Sequence, residues 1–236
     1  MRRAARLWLA VAAITIVIGG CSRMEGRNPA ASEQTAGESP RVGAGGAGAN
    51  LRNDGDFVRD VAIKNMAAVE LSRLALERAT KSDIKAFAQE MIDDHEAAGQ
   101  ELKSRVSGQS IEWPAQLDDK HRKTVDELAG TQGDSFDRDY LEAMVEGHQD
   151  LAAKLESRLD VQSLADWKTA AAGRTRSKAL PEPDTALRDV QVRPDTTSNG
   201  FTMKINQWAA DTYPIAQKHL DTARMLENAA KKGAVN

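Results

Sequence analysis

Ser82-Asp83-Ile84-Lys85-Ala86-Phe87-Ala88-Gln89-Glu90-Met91-Ile92-Asp93-Asp94-His95-Glu96-Ala97-Ala98-Gly99-Gln100-Glu101-Leu102 decides how this chain folds. Ile84, Phe87, Met91, His95, Ala98 and Leu102 recur at steps of three or four, so an α-helix carries all six on one stripe. The helix predicted over residues 82–106 stops at Ser107-Gly108, a plausible C-terminal cap. In the middle of its apolar stripe stands an imidazole, and the phrase around it recurs. An apolar residue is followed four positions later by a ligand-type residue at Met66…Glu70, Met91…His95, Met144…His148 and Ile215…His219. Leu102, Leu155 and Leu226 each follow a His by seven. One carboxylate and three imidazoles are therefore expected at the buried seams of four helices.

Working outward, the periodicity predicts a first helix over residues 56–80, with Asp54 or Asp56 available as its N-cap. Pro114 is expected to open a short helix that Gly130 closes near residue 129. A third long helix begins after Gly133-Asp134 and carries Tyr140, Met144, His148, Leu151, Leu155 and Leu159 on one side. Residues 161–172 suit a separate short helix, and residues 173–200, with Pro181, Pro183, Pro194 and Gly200, read as a long excursion. The last helix spans residues 202–232, with Ile205, Trp208, Ile215, His219, Ala223 and Leu226 inward and Pro214 inside it. Four long amphipathic helices favour an antiparallel bundle, and about 1.5 Å of rise per residue permits one shared layer for Glu70, His95, His148 and His219.

The beginning of the chain carries an address. Arg2, Arg3 and Arg6 precede an apolar run from Leu7 to Ile18, too short for the roughly 20 residues of a spanning helix. Ile18-Gly19-Gly20-Cys21 then resembles the bacterial lipobox, so residues 1–20 are expected to be a lipoprotein signal peptide and Cys21 the lipidated residue. Cys21 is the chain's single cysteine, which leaves the exported domain without a disulfide or a thiolate metal site. Ser22 lacks the Asp that resembles an inner-membrane retention signal, and the outer membrane facing the periplasm is the favoured location. Residues 21–55, centred on Gly43-Ala44-Gly45-Gly46-Ala47-Gly48, are expected to tether the folded residues 56–232. Residues 1–20 hold three Arg and no acid, so their removal moves the formal charge from −3 to −6. With no basic patch, nucleic acid is not an expected partner.

Phe57, Val69-Glu70-Leu71-Ser72-Arg73-Leu74-Ala75 and Phe87-Ala88-Gln89-Glu90-Met91-Ile92-Asp93-Asp94-His95 also form a recognisable series. It continues with Gly133-Asp134-Ser135-Phe136-Asp137-Arg138-Asp139-Tyr140, Met144-Val145-Glu146-Gly147-His148, Trp208-Ala209, Tyr213-Pro214 and His219-Leu220. Together these resemble the family called domain of unknown function 4142, over nearly all of residues 56–230. The resemblance implies an all-α, ferritin-like antiparallel four-helix bundle in an exported protein, and implies no established activity. The chain departs from the family at about residues 160–204, where a longer insertion separates helix three from helix four, and it adds a short extra helix.

Two chemistries suit the inferred layer. Three neutral imidazoles and a carboxylate are an ordinary ligand set for one Zn, Fe, Mn or Cu ion, drawn from Glu70, His95, His148 and His219. The alternative is a buried polar layer that specifies register and binds nothing, and this is the reading the sequence favours. A di-iron centre would need Glu-x-x-His on two helices. Ile92, Val145 and Ala216 stand three before His95, His148 and His219, so it is disfavoured. Met91 with His95 and Met144 with His148 also offer copper(I) a thioether and an imidazole one turn apart, although Met at helical spacing is commonly core filler. His121 reads as a solvated or half-buried face residue, and Asp137 as a cap or ion-pair partner. Asp93 and Asp94 point around the helix, so at most one of them can orient His95. No phosphate loop, nucleophile elbow or HExxH motif is present, so no catalytic residue is assigned. The expected role is a structural or interaction lipoprotein of the envelope, with a mononuclear metal-binding bundle as the alternative.

Overall fold

A computed structural model describes residues 45–174 and 190–233, and side chains within 53–173 and 190–232. The expected signal peptide, Cys21 and most of the expected tether lie outside the described residues, as does the centre of the long excursion. The described chain is all-α: α1 (Gly45–Arg78), α2 (Ser82–Arg105), α3 (Asp119–Ala129), α4 (Gly133–Glu156), α5 (Val161–Arg174) and α6 (Gly200–Gly233). None of these helices is long and apolar enough to cross a membrane.

Two helix starts differ from the sequence expectation. α1 begins eleven residues early, at Gly45, and Asp54 lies inside it, where neither it nor Asp56 can act as N-cap. Asp54 is instead buried, accepting a hydrogen bond from Arg158 at the far end of α4 and one of 2.7 Å from Thr202 in the first turn of α6. α3 starts at Asp119, five residues after Pro114, because the Asp118 side chain caps it by accepting from the His121 backbone N–H at 2.9 Å. α2 ends as its sequence suggests, with Gly108 at φ 82° just beyond, a left-handed conformation that glycine adopts without a side-chain clash.

Side-chain pairs show how the four long helices are arranged. α1 runs antiparallel to α2 across the short turn at residues 79–81, its start packing in one core block with Leu102 and its end in the other with Ile84. It is also antiparallel to α4, through Ser72–Tyr140, Lys64–Asp150 and Lys154–Asp60. α6 likewise runs antiparallel to α4, through Tyr213–Glu156, and to α2, through Trp208–Ala98 and Lys218–Glu90. Around the core the order is α1, α2, α6, α4, so α2 and α4 are parallel. The chain crosses between those two helices through residues 106–132, and α3 packs on α1 and α4 along the way. Asp137 caps the α1–α2 turn from α4, accepting from the Thr80 backbone N–H at 2.9 Å and from its hydroxyl. After α4, residues 190–199 are strapped to its end by the Leu159–Pro194 bridge and by Asp160 N–H donating to Arg193 O at 2.9 Å.

The core is two apolar blocks with a polar layer between them. One block gathers Phe57, Val61, Leu102, Leu155, Trp208 and Tyr213; the other gathers Ile84, Phe87, Met91, Phe136, Tyr140 and Met144. Burial of each large apolar side chain contributes about 1.5–3 kcal/mol, so the blocks hold the helices in register. Met91 and Met144 belong to the second block, as core filler would. Ile215 departs from its expected inward position and is 44% exposed, because Ala216, 100° further round α6, takes the inner place.

Candidate metal centre

His95 of α2, His148 of α4 and His219 of α6 occupy the polar layer, all buried. One ligand atom from each lies within 4.8 Å of the others. The three ring centroids are 5.2, 5.6 and 5.4 Å apart. Each helix places its His there for the reason visible in the sequence: the imidazole replaces one apolar residue in a core-facing stripe.

Each ring is held by one nitrogen. His148 Nδ1 stands 2.8 Å from the Met144 carbonyl, which can only accept, so Nδ1 donates and Nε2 keeps its lone pair. His219 Nε2 stands 2.9 Å from Asp94 Oδ2 and donates to that carboxylate. Its Nδ1 is buried with no hydrogen-bond partner. His95 Nδ1 stands 2.9 Å from Asn65 Oδ1, which leaves Nε2 facing His148 Nε2 at 3.2 Å. Two nitrogen lone pairs at that distance repel unless a cation or a proton lies between them. Two ligands about 2.0 Å from a tetrahedral ion stand about 3.3 Å apart, close to the observed separation.

Burial sets the protonation state. It pushes His95 well below its ordinary 6.5, with further lowering from His148 and His219. Burial likewise brings His148 down to about 4, against the opposing effect of its bond to the Met144 carbonyl. His219 is pushed down to about 3 by burial, then by His148 and Lys218, even with Asp94 alongside. All three are neutral at pH 7, the form that binds metal. The Asp94 carboxyl is raised, first by burial and then by Glu90.

Glu70, expected in the layer, is not among the residues brought together there. It is half-buried on α1, where the residue level with His95 is Asn65, five positions earlier. Five residues are about 7.5 Å of rise and 140° of rotation, so Asn65 and Glu70 cannot face the same layer. Asn65 was not singled out in the sequence; a lone amide on an amphipathic helix carries no spacing signal. Asp94 orients an imidazole, but that of His219 on a neighbouring helix, while Asp93 accepts from Gln89 at 2.9 Å. Glu90, Asp94 and His219 form a second group within 4.8 Å on the outer side, where Lys218 already pairs with Glu90.

The family model described as Domain of unknown function (DUF4142) matches residues 39–178. No curated protein and no solved structure matches the chain.

Proposed function

We propose, for a chain that belongs to the DUF4142 family, that His95, His148 and His219 bind a single transition-metal ion. The observation that carries the proposal is the 3.2 Å approach of two Nε2 atoms whose rings are each anchored through Nδ1. Imidazoles from three helices, each hydrogen-bonded behind, are the usual support of a metal-ligating histidine. With three neutral nitrogens and no carboxylate in the group, zinc or copper suits the set better than manganese or iron, which favour oxygen ligands. Asp94, behind His219, supplies negative charge that a buried divalent ion requires.

Metal analysis of untagged protein incubated with zinc or copper is expected to give one equivalent. His148→Leu should abolish binding and keep the helical circular dichroism, and Asp94→Asn should weaken binding about 10- to 100-fold. Less than about a tenth of an equivalent in the wild-type protein would sink the proposal. The competing reading has one specific observation behind it. With the Asn65 amide turned over, His95 Nε2–H donates to His148 Nε2, and the layer is a closed polar contact. That reading expects no metal, and it allows His148→Leu to raise stability.

The envelope address is part of the same proposal. The lipobox-like Ile18-Gly19-Gly20-Cys21 supports a lipid-anchored protein of the outer membrane facing the periplasm. Cys21→Ser should move the protein from the membrane pellet to the soluble fraction; an unchanged distribution would overturn the anchor.

A further inference from the structure

We infer that the cleft between α1, α3 and α4 is the route by which a divalent cation reaches the three-imidazole centre, with His121 as its landing ligand; this rests on the metal reading above. His95 and His148 line the cleft from the core, and His121 lines it from α3. The chain has four histidines, so three stand at the centre and the fourth on the path to it. His121 is prepared as the other three are: its Nδ1 stands 2.6 Å from Asp118 Oδ1, a carboxylate that accepts and leaves Nε2 as the free lone pair.

Charge and shape agree with a cation's passage. Glu127, Asp139, Glu142, Glu146 and Asp150 line the cleft against two lysines, Lys64 and Lys120. Both lysines turn towards Asp150, at 3.9 and 3.6 Å, Lys123 pairs with Glu127 at 3.5 Å and Arg138 with Asp139 at 3.4 Å, so the carboxylates of Glu142 and Glu146 are those left to draw cations in. Gly147, next to His148, stands on the cleft wall inside α4, where a Cβ would meet nothing within 4 Å. Glycine there lowers helix stability relative to alanine, and no crowding requires it. Its use keeps the wall low beside the ligand. On the opposite side Asp94 and the Lys218–Glu90 pair stand outside His219, which is only 2% exposed.

The test is stopped-flow loading of the metal-free full chain with Co2+, read from the visible absorption of bound cobalt. His121→Ala and Gly147→Leu are each expected to slow loading about five- to tenfold with the same final absorbance, and added salt should slow the wild-type protein. Ala143→Leu, one turn before Gly147 on the same lining, should act as Gly147→Leu does. Full loading at wild-type rate in His121→Ala removes the landing role, and the same result in both leucine variants removes the route. Either leaves the centre itself standing. Absence of cobalt binding in the wild-type protein overturns the centre and the route together.

Discussion

Acidifying the metal-free protein from pH 7 to pH 4 is expected to cost about 3 kcal/mol of unfolding free energy through His148 alone. The sign follows from where the proton binds. In the unfolded chain the imidazole titrates near 6.5, whereas in the fold it titrates near 4. Between those values the unfolded state binds more protons, so stability is full above 6.5 and drains as the pH falls towards 4. His219, held near 3, and His95, also lowered, act in the same direction. Against a total of about 5–15 kcal/mol for a typical domain, this loss should raise the pH at which acid unfolds the protein. Denaturant titrations at several pH values check it. His148→Leu should flatten the profile, and a wild-type profile already flat between pH 6.5 and 4 would show that the layer tolerates protons. Bound zinc should protect, by about 4 kcal/mol at a thousandfold excess over its dissociation constant.

Arg158→Ala is expected to destabilise the protein by about 3–5 kcal/mol, because it strips the partner from a buried carboxylate. Asp54 is 1% exposed and lies between Arg158 and Thr202, tying together α1, the end of α4 and the start of α6. The guanidinium also donates to the Asn53 carbonyl at 3.2 Å and stacks over the Phe57 ring at 4.5 Å. Its removal therefore costs packing as well as charge. Urea unfolding measures the loss. Pairing Arg158→Met with Asp54→Leu should recover much of it, since replacing both partners leaves no orphaned charge. A single Arg158→Ala variant within about 0.5 kcal/mol of wild type would mean that water replaces the arginine.

Which parts were legible follows from the range of the interactions. α2 and α4 are readable because their stripes are local and long; His95 and His148 fall on those stripes and are buried. α5 was readable from its bounding breaks. The start of α1 was not, since the Gly- and Ala-rich residues 45–52 show no apolar period. Asp54 owes its burial to Arg158, more than a hundred residues away. α3 starts later than Pro114 suggests because Pro114 and Asp118 both signal helix starts, and only the cap bond to His121 decides between them.

By itself, the sequence determined that four amphipathic helices each carry an apolar stripe, and that three of those stripes are interrupted by a histidine. Such facts follow from the 3.6-residue period alone. The tertiary structure decided the rest: that the three imidazoles meet, that Asn65 and not Glu70 faces them from α1, and that Asp94 serves a histidine on another helix. Axial register and rotation are set where helices pack against one another, and a shift of a few residues exchanges one facing side chain for another.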